Sequence, residues 1–181
     1  MENKKREKII LFRIRAGQKD AFGELYDIYS RQIYRYIYFK VPTKEKAEDL
    51  TSEVFLKCWE YINKHEIKNF QAFIYQVSRN QIADFYKKSK DLLLDERETI
   101  IEDHSFSEHI ENISDWQVLE KNLRKLGKIN SRWQEVLILK YVEDMTTSEM
   151  AKVMNESKAN IRVLLHRAME KLKEIVNSSE N

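Results

Sequence analysis

Lys158, Asn160, Arg162, His166 and Arg167 lie close together in the stretch SKANIRVLLHRAMEKLKEIV. They form neither a nucleophile with its base nor a metal cage. Their chemistry is hydrogen-bond donation: asparagine and arginine suit base edges, lysine and arginine suit phosphates. The residues before them say how they are held. Thr146 and Glu149 form a Thr-x-x-Glu capping box that starts a short helix ending near Met154. Asn155 tolerates a left-handed turn, and Ser157 caps a second, longer helix. That helix would bury Ile161, Leu165, Ala168 and Leu172 and leave the donors outside. Cap, turn, cap over about 146–166 is helix-turn-helix spacing, with Asn160 and Arg162 placed for bases and Lys158 and Arg167 for phosphates. A helical hairpin with a solvated polar face is the alternative.

Two further stripes suggest binding. In NFQAFIYQVSRNQIADFYKKSK, one side carries Phe70, Phe73, Ile74, Val77, Gln81 and Phe85. At about 100° per residue, Tyr75, Arg79, Ile82 and Tyr86 form a second stripe, with Asn80 and Lys87 on a further flank. Rings and guanidinium planes stack on unpaired bases, so this helix suits a single strand better than a duplex. Tyrosines packed at a domain edge would give the same pattern. In AEDLTSEVFLKCWEYI, Asp49, Glu53, Leu56 and Glu60 fall within an arc of about 60°. Leu56 inside a row of carboxylates is either a stray surface residue or part of a face meant for another protein.

The elements that position these stripes are helices. The 181 residues contain 3 Gly and 1 Pro, too few for a chain rich in β-turns. Gly17, Gly23 and Gly127 are isolated, so no glycine-rich phosphate loop exists. A single cysteine, Cys58, excludes an internal disulfide and a thiolate zinc site, and the 4 histidines never pair at i, i+4 on one face. No metal and no cofactor is expected. No signal peptide precedes residue 20, and no apolar run approaches the ~20 residues that span a bilayer, so a cytoplasmic chain without a membrane span is expected.

A net charge of +2 conceals two basic blocks around an acidic one: +7 over residues 1–90, −9 over 91–120 and +4 over 121–181. Basic blocks suit polyanions, although a solvated surface has the same composition. Helical periodicity marks KREKIILFRIRA, ended near Gly17, then DAFGELYDIYSRQIYRYIYFKV, closed by Pro42. Thr43 can cap the next helix, which runs to about Ile62; another follows from about Phe70 to Lys88. The expected fold is all-α: a four-helix domain over 1–90, an acidic flexible linker over 91–115 with a short helix near its end, and a second helical domain over 116–181.

The segments DAFGELYDIYSRQIYRYI, AEDLTSEVFLKCWEYI and FQAFIYQVSRNQIADFYKKSK resemble region 2 of the bacterial sigma-70 family in its compact extracytoplasmic-function (ECF, group IV) form. LRKLGKINSRWQEVLILKYVEDMTTSEMAKVMNESKANIRVLLHRAMEKLKEI resembles region 4. The resemblance implies an alternative sigma factor that binds core RNA polymerase and directs promoter-specific initiation, and not an enzyme. It implies that Asp49, Glu53, Leu56 and Glu60 dock on the clamp coiled coil of the β′ subunit. The loop NKHEIKN, with Lys64 and Lys68, and the helix carrying Tyr75, Arg79, Asn80, Tyr86 and Lys87 would meet the non-template strand of the −10 element. Lys158, Asn160, Arg162, His166 and Arg167 would read the −35 element as duplex, and region 4 would touch the β flap. An anti-sigma factor is a candidate partner. The chain departs from the family pattern S-x-G-T-V-K-S-R-L, having SKANIRVLL: Ala159 and Asn160 replace Gly-Thr, and Val163 and Leu164 replace Ser-Arg. Phe73 stands where tryptophan is frequent. Two rival readings are a stand-alone helix-turn-helix regulator, which leaves the Asp49–Glu60 stripe unused, and a helical protein-binding adaptor, which predicts no salt-dependent DNA affinity.

Overall fold

The computed structural model describes residues 2–92 and 113–178, and among them every regular element is helical. The elements are α1 (Glu2–Arg15), α2 (Phe22–Tyr38), α3 (Lys44–Ile62), α4 (Phe70–Leu92), α5 (Ile113–Ile129), α6 (Ser131–Leu137), α7 (Thr147–Val153) and α8 (Lys158–Asn177). A 3-10 turn covers Lys19–Ala21, and a π-helical segment, Ile138–Val142, follows α6 directly. Most of the expected linker, 93–112, lies outside the described residues; 91–92 close α4, and 113–115 open α5 ahead of the expected start at Trp116.

The chain forms two compact units. Among the described residues, the first comprises 2–37 and 45–92, and the second comprises 38–44 and 113–178. In the first, α1 ends where Gly17 takes φ +93°, a conformation that costs an L side chain about 1–2 kcal/mol. Arg13 then hydrogen-bonds Gln18 at 2.9 Å and pairs with Glu24, fixing α1 to the start of α2. Aromatic rings fill the space between helices: Phe22 meets Trp59 and Phe70, Tyr26 meets Phe55, and Tyr29 meets Phe70, with centroids 4.7–6.3 Å apart. These tilted and edge-on pairs add directional preference to simple burial.

Among the described residues, this core holds one acidic side chain. Glu7 on α1 is buried, accepts a hydrogen bond from the Tyr29 hydroxyl on α2, and accepts another at 3.0 Å from the Phe70 amide that opens α4. A helix N-terminus favours a carboxylate through its free N–H groups and dipole. The same residue therefore ties three helices. Small buried hydroxyls are satisfied locally, as Ser78 Oγ donates to the Ile74 carbonyl at 2.8 Å.

In the second unit the run Val136, Leu137, Ile138, Leu139 is buried throughout. A helix apolar on successive positions must be enclosed on all sides, and the switch to π-helical geometry occurs within this run. Gly127 permits close packing here: a Cβ at this position would lie 2.6 Å from Gln134 Cδ. Gln134 in turn donates to the Phe39 carbonyl at 2.8 Å. Arg124 donates to the Val41 and Tyr38 carbonyls at 2.6 and 2.9 Å and to Glu120 at 2.9 Å, while its guanidinium covers the Tyr38 ring. The segment 38–44 is thus held inside the second unit by side chains of α5 and α6.

Replacing Glu7 by alanine strands one buried hydroxyl and one buried amide, at about 1–3 kcal/mol each. Urea unfolding of Glu7→Ala should show stability reduced by about 2–4 kcal/mol, with Glu7→Gln losing less because the amide oxygen still accepts.

Candidate nucleic-acid and protein interfaces

Helix α3 separates its faces cleanly. Ala47, Leu50, Thr51, Val54, Phe55, Cys58 and Ile62 are buried, while Asp49, Glu53, Leu56 and Glu60 are all exposed. Leu56 is 57% exposed with carboxylates one turn to either side. Asp49 has a nearby cation, Lys46 Nζ at 3.6 Å, and both side chains are solvated, so the pair is worth little. The expected stripe is therefore an accessible surface. Cys58, on the opposite face, is no nucleophile: burial pushes its thiol up to about 12.

Helix α4 corrects part of the sequence reading. Tyr75, expected on an accessible stripe, is fully buried and packs edge-on against Tyr36 at 5.0 Å; Ile82, from the same stripe, is buried too. The inward face runs through Ile74, Tyr75, Ser78, Gln81 and Ile82. It is wider than the expected apolar side and includes 75 and 82. No base can stack on Tyr75 in this arrangement. Asn80, Tyr86 and Lys87 are exposed and Arg79 is half-buried, so they stay on the outer side. Lys64 and Lys68 are exposed in the preceding loop, which also holds Asn69, whose Oδ1 accepts from the Ala72 amide at 3.0 Å. Tyr61 lies between His65 and Phe73, at 4.4 and 4.6 Å, and gives this loop an aromatic base that the spacing alone did not indicate.

The α7–α8 region follows the expected caps. Thr146 and Glu149 make both arms of the capping box, and Ser157 Oγ accepts from the Asn160 amide at 3.1 Å. Asn155 takes φ 53°, the left-handed conformation expected for it. Ile161 and Ala168 are buried and Leu165 and Leu172 half-buried, while Lys158, Arg162, His166 and Arg167 are exposed. Asn160 differs from expectation. Its side-chain amide donates to Glu156 Oε2 at 2.6 Å, and Glu156 also pairs with Arg132. The hydrogen bonds from Asn160 and Arg132 hold the Glu156 carboxyl below the usual carboxylate range. Asn160 is thereby engaged in bracing the turn. His166 Nδ1 lies 3.2 Å from Glu170 Oε2, and Arg167 borders a shallow hollow with Ile129, Trp133 and Lys171.

Among the described residues no group of three or more His, Cys, Asp or Glu is placed to hold a metal ion, and no helix is long and apolar enough to cross a membrane. The surfaces present are a carboxylate stripe with an apolar centre, an outer face of α4 with lysines and one exposed ring, Tyr86, and a capped helix-turn-helix with a cationic tip. Residues 25–91 match the family model of Sigma-70 region 2, and residues 123–172 match that of Sigma-70, region 4. The chain is 34% identical over 169 residues to ECF RNA polymerase sigma factor BldN of Streptomyces coelicolor, covering 88% of this chain and 62% of BldN. It is 25% identical over 166 residues to ECF RNA polymerase sigma factor SigM of Bacillus subtilis, covering 89% of this chain and 98% of SigM. Its fold is similar to that of RpoE of Bartonella quintana, solved with the anti-sigma factor NepR, with a TM-score of 0.71 at 20% identity over 86% of this chain and 96% of that one. The chain belongs to the sigma-70 family of RNA polymerase sigma factors, in its ECF group.

The left-handed Asn155 gives a direct check of the turn. Asn155→Gly should leave stability unchanged or slightly raised, whereas Asn155→Val should lower it by about 1–2 kcal/mol in thermal unfolding.

Proposed function

We propose that the chain binds core RNA polymerase as a dissociable subunit, directs initiation to its own promoters, and carries no catalytic chemistry. The supporting observation is the order of two matched regions in one chain: a region 2 whose α3 exposes carboxylates around an apolar anchor, and a region 4 that builds a capped helix-turn-helix. A stand-alone helix-turn-helix regulator has no use for the first, and a protein-binding adaptor has none for the second.

In this reading Asp49, Glu53 and Glu60 meet arginines of the β′ clamp coiled coil, and Leu56 supplies an apolar contact among them. Region 2 (residues 1–90) takes the non-template strand of the −10 element along Asn80, Tyr86, Lys87 and Arg79, with Lys64 and Lys68 against phosphates. Opening DNA costs a few kcal/mol per unstacked base, and stacking on rings returns about 1–3 kcal/mol each, so the affinity for core polymerase carries the balance. Region 4 (residues 116–181) reads the −35 duplex through α8 and meets the β flap, and residues 91–115 tether the two. The chain acts in the cytoplasm. An anti-sigma factor is a further candidate partner; RpoE of Bartonella quintana, of similar fold, was crystallised in complex with the anti-sigma factor NepR.

The test is binding of the full chain to purified core polymerase by fluorescence anisotropy. Asp49→Arg with Glu53→Arg should weaken binding at least tenfold; unchanged affinity would remove α3 from the interface. Asn80→Ala should keep core affinity within about twofold yet lower permanganate reactivity of the −10 thymines several-fold. Normal melting by that variant would exclude Asn80 from strand capture.

A further inference from the structure

The outermost positions of α8 are not its cations. At about 100° per residue, Ala159, Val163 and His166 lie within about 60° of one another, directly opposite the buried Ile161 and Ala168. Val163 is 46% exposed and Ala159, one turn before it, is exposed as well. Arg162 flanks this line on one side and Arg167 on the other. Single exposed apolar residues are common on protein surfaces. Here two of them occupy the apex of the helix assigned above to duplex DNA, near its N-terminus.

One polar side chain nearby is already engaged, since Asn160 gives its amide to Glu156. Arg162 remains as a base-edge donor at this end, beside two aliphatic surfaces. In the major groove, the thymine 5-methyl is the one apolar group that a base pair presents. An aliphatic side chain opposite cytosine or guanine would instead cover a donor or acceptor without pairing it.

Building on the sigma-factor reading above, we propose that Val163, seconded by Ala159, sets part of the upstream duplex specificity by packing on thymine 5-methyl groups. The discrimination is then double: a methyl is buried when thymine is present, and a polar edge is stranded when it is not. Burying one methyl corresponds to about fourfold in affinity.

The experiment uses the full chain with core polymerase. A promoter library randomised upstream is selected for binding, and each thymine of the enriched duplex element is then replaced by deoxyuridine, which removes only the 5-methyl. The wild-type holoenzyme should lose about fourfold in affinity at one or two thymines. Val163→Ser should lose nothing at those positions while keeping its response to other base changes, and Val163→Ile should keep the methyl dependence. An enriched element indifferent to deoxyuridine, or an equal loss in Val163→Ser, overturns this inference and leaves the sigma-factor reading standing. Enrichment of no upstream element overturns both the inference and the role given to α8.

Discussion

The buried carboxylate of Glu7 governs the first unit. A charge removed from water is tolerated only where hydrogen bonds replace its hydration. Glu7 obtains these from a hydroxyl on α2 and from the first amide of α4, so it specifies where α4 begins as well as what α1 touches. With Phe70 anchored in this way, a regular helix allows one rotation. Ile74, Tyr75, Ser78, Gln81 and Ile82 go inward, and Asn80, Tyr86 and Lys87 go outward. The composition of the outward face of α4 thus follows from an interaction at the far end of the same helix.

The second unit solves a related problem with smaller parts. A helix as short as α7 has little intrinsic stability, and most of its backbone donors lie within the first turn. Both arms of the capping box, the left-handed Asn155 and the Ser157 cap set its two ends and the angle at which α8 leaves. Glu156 joins Arg132 to Asn160 across the turn. Bracing of this kind commits the Asn160 amide to the turn. In the proposed reading of α8, fewer polar groups then remain to distinguish bases.

Exposed cations of α8 and α4 suit salt-dependent attraction to a polyanion, a term that carries no base identity. The exposed stripe of α3 has the opposite sign and suits a protein.

Features that depend on neighbours in sequence were legible before any coordinates. The capping box, the Ser157 cap, the left-handed turn at Asn155 and the exposed Asp49–Glu60 stripe follow from local hydrogen bonding and a 3.6-residue period, which need no knowledge of the rest of the chain. The ends of α4, α5 and α6, by contrast, differ from those the period suggests. Tertiary structure decided what a helix wheel cannot: how wide the buried face of α4 is, that Asn160 is claimed by Glu156, and that 38–44 is clasped by Arg124 and Gln134. It also decided that Val136–Leu139 would be enclosed on every side, beside a π-helical turn. The reason is common to all of these. Period and propensity report a residue's direction from its own helix axis, but whether that direction meets water, a ring or a carboxylate depends on residues far away in sequence.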